Sequence, residues 1–275
     1  MVLRCGKYSV PLDRPLLMGV VNVTPDSFSD GGRFFDRNAA VSHALRLAEE
    51  GADIVDIGGE SSRPGALPVS VQEEMDRVLP VLQGLKNLKK PISVDTRRPE
   101  VMQEALKAGA SMINDIEALQ APGALEIVAA SQCAVCLMHM KGDPATMQQA
   151  PHYDDVVAEV AGFLKDRIKA AQAAGIARER IVVDPGFGFG KTLEHNLALL
   201  KHLSALASME LPILAGWSRK SSVAKVTGRP AGDRLPGSLA MALLSLQAGA
   251  TILRAHDVKE TKDIVEIWRV YKNVS

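Results

Sequence analysis

Eight times along this chain a short apolar run gives way to a polar loop and then to an amphipathic helical pattern, and few folds accommodate that rhythm. The runs cover residues 16–22, 54–59, 92–95, 112–116, 134–139, 181–184, 213–216 and 252–256. The helical patterns between and after them cover 39–50, 71–85, 99–108, 123–130, 153–174, 193–206, 238–248 and 258–271. Gly51, Gly109, Gly175 and Gly249 follow helical stretches, where a left-handed residue ends a helix. Strands buried on both faces, each followed by a helix, predict a (β/α)8 barrel in a single domain over residues 1–275, preceded by a short hairpin over residues 3–12 that closes its bottom. An open doubly wound sheet is the alternative, but the chain lacks the GxGxxG that the dinucleotide-binding form of that sheet carries after its first strand.

The 275 residues are 47% hydrophobic, enough to bury such a core, and 32 basic side chains balance 32 acidic ones. Zero net charge gives no general attraction to nucleic acid or an anionic membrane, so any anionic ligand is held by local groups. Cys133 and Cys136 are three apart in a strand and point to opposite faces, which predicts reduced core cysteines along with Cys5. No signal-like start and no membrane-length apolar run is present, so the expected location is the cytoplasm.

In a barrel all parallel strands end on one face, where the site is built. Here those ends carry Asn22, then Glu60 with Ser61, Ser62 and Arg63, then Asp95, Asn114, His139, Asp184, Arg219 with Lys220, and Arg254 with His256. Asp95 and Asp184 accept, Asn114 does both, and Lys220 and Arg254 donate, a set suited to a flat heterocycle with a guanidine-like N–H edge and a carbonyl. Arg254 and His256 share a strand face and with Arg63 suit a phosphate or pyrophosphate. The Asn22 carbonyl suits Mg²⁺, which takes few protein oxygens when phosphate supplies others.

Two stretches resemble phosphate motifs. VDPGFGFGKT has Pro185 where a P-loop needs its first glycine, and Lys191 where GxGxxG needs its last; a tight turn presenting Asp184 and setting Phe189 near the mouth fits better. GWSRKSS runs from a strand into a helix start, where Ser221 and Ser222 offer hydroxyls and free N–H groups to an anion, or form an ordinary serine cap. Phe28 lies in the polar, glycine-bearing loop 24–32, where solvent gives a phenyl ring no reason to be.

The segments MGVVNVTPDSFSDGG, IVDIGGESSRPGA, PISVDT, INDI, MHMKGDPATMQ, VDPGFGFGKT, SRKS and LRAHDVKET together resemble the dihydropteroate synthase family, over almost the whole chain and in that family's order and spacing. The resemblance implies a usually dimeric (β/α)8 barrel and a transferase of folate biosynthesis. Such an enzyme joins 6-hydroxymethyl-7,8-dihydropterin diphosphate to p-aminobenzoate with Mg²⁺, releases pyrophosphate, and is the target of sulfonamides. It places the pterin among Asp95, Asn114, Asp184 and Lys220, with Arg254 stacked on its face, and makes Asp95, Asp184, Lys220 and Arg254 the catalytic set. It gives the pyrophosphate to Asn22, Arg63, Arg254 and His256, the metal to Asn22, and p-aminobenzoate to Phe28, Ser62, Arg63, Pro64, Phe189, Lys220 and Ser221. Ser62 stands where the family commonly has Thr, and Trp217 where it has Thr or Val.

The chemistry implied is loss of pyrophosphate to leave a cationic pterin, then attack by a positioned, weakly nucleophilic aryl amine with no assigned general base. Loop 24–32 then acts as a lid whose Phe28 covers the aminobenzoate, and it is expected to be the least ordered part of the free enzyme. Competing readings are a methyltetrahydrofolate domain serving a corrinoid methyltransferase, which lacks the VTPDSFSDGG and SRKS segments, an aldolase with Lys220 as Schiff base, and a barrel that only binds pterin.

Overall fold

Antiparallel pairing opens the chain: β1 (Val2–Cys5) and β2 (Tyr8–Pro11) form the expected hairpin, with Leu3 opposite Val10. The computed structural model describes residues 1–24, 32–62 and 65–274, and of residues 32–36 and 231 the backbone alone. Phe28, Arg63, Pro64 and most of the proposed lid lie outside the described residues.

The barrel strands are β3 (Leu16–Asn22), β4 (Ile54–Gly58), β5 (Ile92–Asp95), β6 (Met112–Asp115), β7 (Ala134–Met138), β8 (Ile181–Asp184), β9 (Leu214–Ala215) and β10 (Ile252–Ala255). All pair in parallel in the order β8-β7-β6-β5-β4-β3-β10-β9. A parallel bridge between Val183 and Ile213 joins the two ends, so the described strands close on themselves. The helices are α1 (Gly32–Glu50), α2 (Val71–Gly84), α3 (Pro99–Lys107), α4 (Ala124–Ala130), α5 (Val156–Ala173), α6 (Leu193–Lys201), α7 (Ser221–Thr227), α8 (Leu235–Gln247) and α9 (Val258–Lys272).

Several helix limits differ from those read in the sequence: α7 is marked there only by its start, and α8 begins at Leu235 instead of residue 238. The first begins at Gly32 instead of residue 39, through a stretch with Gly, Asp and Asn that carries no apolar period. The fifth begins at Val156 because the Asp155 carboxylate caps it, accepting from the Val157 and Ala158 N–H groups at 3.0 Å. Residues 193–206 do not form one helix: α6 stops at Lys201, and a 3-10 segment follows over Leu203–Met209. The four helix-ending glycines are left-handed, with φ of 119° at Gly51, 104° at Gly109, 94° at Gly175 and 106° at Gly249.

Strand alternation sorts the core into two bodies. Outward residues such as Leu17, Val55, Val94, Ile113 and Val183 pack under the helices. Inward residues Leu16, Met18, Ile54, Met112, Ala134, Cys136, Val182, Leu214 and Ile252 make an apolar floor inside the barrel, and Leu3 and Cys5 of the hairpin plug it from below. Cys133 belongs to the outer body and Cys136 to the floor; all three cysteines are free and buried.

Candidate functional site

Two residues further along the strands the inward side chains change character. Asp56 follows Ile54, Asn114 follows Met112, Asp184 follows Val182 and Arg254 follows Ile252, so the period of two lifts a polar layer directly onto the floor. Asp95 joins it beside Asn114, its register partner on β6.

Arg254 sits at the centre. Its Nε donates to Asp56 Oδ2 at 2.7 Å and its terminal nitrogen to Asp95 Oδ2 at 2.8 Å. Asn114 Nδ2 donates to the same Asp56 oxygen at 3.2 Å, while Asp56 Oδ1 is buried with no hydrogen-bond partner. The guanidinium is thereby held flat between two carboxylates, which raises its pKa despite burial. Burial pushes the Asp95 carboxyl up to about 7, against the pull of Arg254.

Across the mouth, Asp184 Oδ1 accepts the Gly186 N–H at 2.7 Å; burial raises its pKa and Lys220 opposes that rise. Burial lowers Lys220 to about 8, with Asp184 acting against it. The ammonium donates to the Phe187 carbonyl and lies 4.6 Å from the centroid of the Phe189 ring, so the sequence-predicted pair of Lys220 and Phe189 does meet.

The glycine-rich turn that presents Asp184 is held from behind. Gly186 and Gly190 have φ of 69° and 61°, and a methyl group at either would collide with the carbonyl of His139 or Lys141. Lys191 is 2% exposed, and its ammonium donates to the carbonyls of Gly186 at 2.9 Å, Phe189 at 3.0 Å and His139 at 3.3 Å. It therefore fastens the turn and binds no phosphate. His139, one residue past inward-facing Met138, turns outward to Lys191 and packs edge-on against Phe163, with its pKa lowered to about 3 chiefly by burial.

At the opposite rim Asn22 Nδ2 and His256 Nε2 approach to 3.5 Å, and His256 Nδ1 lies 3.0 Å from Ser218 Oγ. The SRKS segment is a turn before α7, whose cap position is Lys220 without a side-chain cap; Ser222 is buried and Ser221 exposed, so the serines are not caps. Arg219 leaves the site: in a left-handed conformation with φ of 59°, it donates from Nε to Asp257 at 3.0 Å. Trp217 is buried against Phe187, ring centroids 4.4 Å apart, behind that turn. A cavity of about 290 Å³ opens beside the polar layer, lined by Glu60, Ser62, Asp95, Arg97, Ile116 and Asp143 among others.

The structure thus brings together Asp95, Asn114 and Arg254, then Asp184, Lys220 and Phe189, then Asn22 and His256. Asp56 was missed because attention to strand ends passes over a mid-strand carboxylate. The signal was available, since an Asp two residues after an inward isoleucine, in an otherwise apolar strand, needs a cationic partner. Arg97, Arg98 and Glu74 were also missed, on segments where charge reads as ordinary helix surface.

The pterin binding enzyme family model matches residues 18–256. Dihydropteroate synthase of Escherichia coli K12 is 50% identical over 260 residues, covering 94% of this chain and 92% of that protein. The structure of Xanthomonas albilineans dihydropteroate synthase with 4-aminobenzoic acid is 53% identical and superposes with a TM-score of 0.94 over 100% of this chain and 99% of that one. The Yersinia pestis dihydropteroate synthase, in a sulfonamide drug complex, is 48% identical with a TM-score of 0.95 over all of both chains.

Proposed function

The chain belongs to the dihydropteroate synthase family of pterin-binding enzymes, and on that premise we propose how its own side chains carry the condensation of a dihydropterin diphosphate with p-aminobenzoate. The observation that supports the assignment most directly is the polar layer's two clusters, Asp56–Arg254–Asp95 with Asn114 on one side and Asp184–Lys220 on the other. Asp95, Asn114 and Asp184 accept the N–H edge of the pterin, Lys220 donates to its carbonyl, and Arg254 offers a cationic plate fixed from beneath. Asp95 and Asp184 favour the positive charge that develops on the ring when pyrophosphate leaves.

Asn22 and His256 form the pyrophosphate rim with Arg254, and Arg63, outside the described residues, completes that set by resemblance. Ser62, Phe189, Lys220 and Ser221 would hold p-aminobenzoate, with Phe28 and Pro64, also outside the described residues. The aryl amine is oriented by these groups, and no side chain here is assigned its proton. Burial lowers Lys220 to about 8 against the pull of Asp184, so the donor reading over a Schiff base rests on the ammonium's contact with the Phe187 carbonyl and on family membership.

Asn22 suits Mg²⁺ as a single oxygen donor. Among the described residues no cluster of three His, Cys, Asp or Glu could hold a metal alone, so the ion would share its shell with the diphosphate. When bound it would neutralise the departing oxygens. Sulfonamide sensitivity and a cytoplasmic setting belong to the same reading; the free buried cysteines support the latter, and among the described residues no helix is long and apolar enough to cross a membrane. A homodimer is supported by the exposed apolar side chains Ile267, Val270 and Tyr271 of α9, Val274 just beyond its end, and Leu244 on the neighbouring α8.

The test is release of pyrophosphate from the pterin diphosphate with and without p-aminobenzoate and Mg²⁺, with dihydropteroate identified by mass. No dihydropteroate with all components present would overturn the reading, whereas pyrophosphate released without aminobenzoate would bear on the dissociative step alone.

A further inference from the structure

Five charged side chains cross three neighbouring strand ends above the polar layer. Glu60, two residues past β4, is a half-buried acceptor with three partners: Oε1 accepts from Arg98 at 3.0 Å and from the Val69 N–H at 3.3 Å, and Oε2 from Arg97 Nε at 3.5 Å. Arg97 in turn donates to Glu117 at 2.7 Å, and Arg98 lies 3.4 Å from the Glu74 carboxylate, whose side chain is 1% exposed. Arg97 stands two residues beyond Asp95, and Glu117 three beyond Asn114.

The contact to Val69 matters most. It joins the first residue of the segment 60–69 to its last, immediately before Ser70 caps α2 by accepting from Glu73 N–H at 3.1 Å. One carboxylate therefore closes the loop that carries Ser62 and ties it to the loops behind Asp95 and Asn114. At its far side the same loop is held by Gly65 N–H donating to the Pro144 carbonyl at 3.3 Å. Three acids share two arginines in this network, with burial raising the pKa of Glu74, so the arginines are committed to the network and are not spare anion ligands.

We propose that Glu60 is a positioning residue for aminobenzoate use, setting the 60–69 loop through Arg97 and Arg98 without touching either substrate. This rests on reading Ser62 as an aminobenzoate contact. Glu60→Gln keeps an oxygen for Val69 and shape for the cavity but removes the charge that holds both arginines.

In the full-length protein Glu60→Gln raises KM for p-aminobenzoate about tenfold or more, the scale of one weakened charge-assisted contact. The Kd of 6-hydroxymethyl-7,8-dihydropterin, read by calorimetry without aminobenzoate, stays within about twofold. Arg97→Gln behaves alike, and the double variant is no worse than the worse single one, because both act through one link. Equal losses in pterin affinity and aminobenzoate KM would show a merely structural role and overturn the proposal. Ser62→Ala separates the failures: if it raises the aminobenzoate KM and Glu60→Gln does not, the proposal falls and the reading stands. If Ser62→Ala leaves that KM unchanged, the reading of the loop falls and takes the proposal with it. Should Glu60→Gln not fold, Arg98→Gln leaves Glu60 in place and is judged by the same split.

Discussion

Replacing Asp56 by Asn isolates one charge in the centre of the site. Asp56 Oδ2 accepts both Arg254 Nε at 2.7 Å and Asn114 Nδ2 at 3.2 Å, while Oδ1 is buried without a partner. An amide oxygen can take over both contacts, and its NH2 falls where no partner is lost. What disappears is the ionic part of the arginine bond, roughly 1 kcal/mol from the difference between ionic and neutral hydrogen bonds, plus a smaller part for Asn114 and for the unpaired NH2. Asp95 still holds Arg254 at 2.8 Å, so the plate tilts without being released. The sum is about 1–2 kcal/mol, or roughly 5- to 30-fold in kcat/KM for the pterin diphosphate. Aminobenzoate KM stays within about twofold, since Asp56 meets nothing on that side. Asp56→Ala strips both donors of their acceptor and costs about 3–5 kcal/mol. Continuous pyrophosphate release, titrating each substrate at saturation of the other, measures both variants. An Asn variant within twofold of the parent, or an Ala variant milder than the Asn one, would refute the role given to Asp56.

Asp184→Asn should abolish most turnover and weaken pterin binding, since its partners stay buried; near-normal turnover would contradict the assignment. The pH profile of kcat/KM for the pterin should rise toward about 7 as Asp95 ionises and fall above about 8 as Lys220 loses its proton, and a flat profile between pH 6 and 9 would contradict that. Linkage gives the matching stability signs: between about pH 4 and 7 folded Asp95 keeps a proton the unfolded chain has lost, so stability falls as pH rises there. Between about 8 and 10.5 the unfolded chain holds the proton folded Lys220 has lost, so stability rises; melts of Asp95→Asn and Lys220→Met should each flatten one of these slopes. Lys191→Met leaves three buried carbonyls without their donor and should cost about 2–4 kcal/mol, lowering Tm by roughly 5–10 °C, whereas an unchanged Tm would mean the ammonium is not fastening the turn.

The barrel was readable because burial on both faces makes each strand a short apolar run, and glycine marks where helices stop. Asp95, Asn114, Asp184, Lys220 and Arg254 were readable because parallel strands put their ends on one face. Asp56 was hidden by lying within a strand, where only the inward phase set by Ile54 distinguishes it from a solvated residue. His139 shows the same phase from the other side, since one step past Met138 carries it away from the pocket. The partners of Glu60 could not be seen at all, because pairing across loops 37 and 38 residues apart leaves no period in the chain. The serine cap that was the alternative to an anion site in GWSRKSS is replaced by the left-handed Arg219 and the Lys220 cap position.

The hairpin plug has a consequence for traffic. With Leu3 and Cys5 seated under the apolar floor, the barrel is a cup with one opening. The pterin seats proposed above would be two residues above that floor, with the proposed aminobenzoate contacts Ser62 and Phe189 nearer the rim. A molecule parked at the rim therefore blocks the way to the bottom, while one at the bottom leaves the rim open. On that placement loading would run from the floor upward, and a finished product, its pterin end deepest, would withdraw tail first.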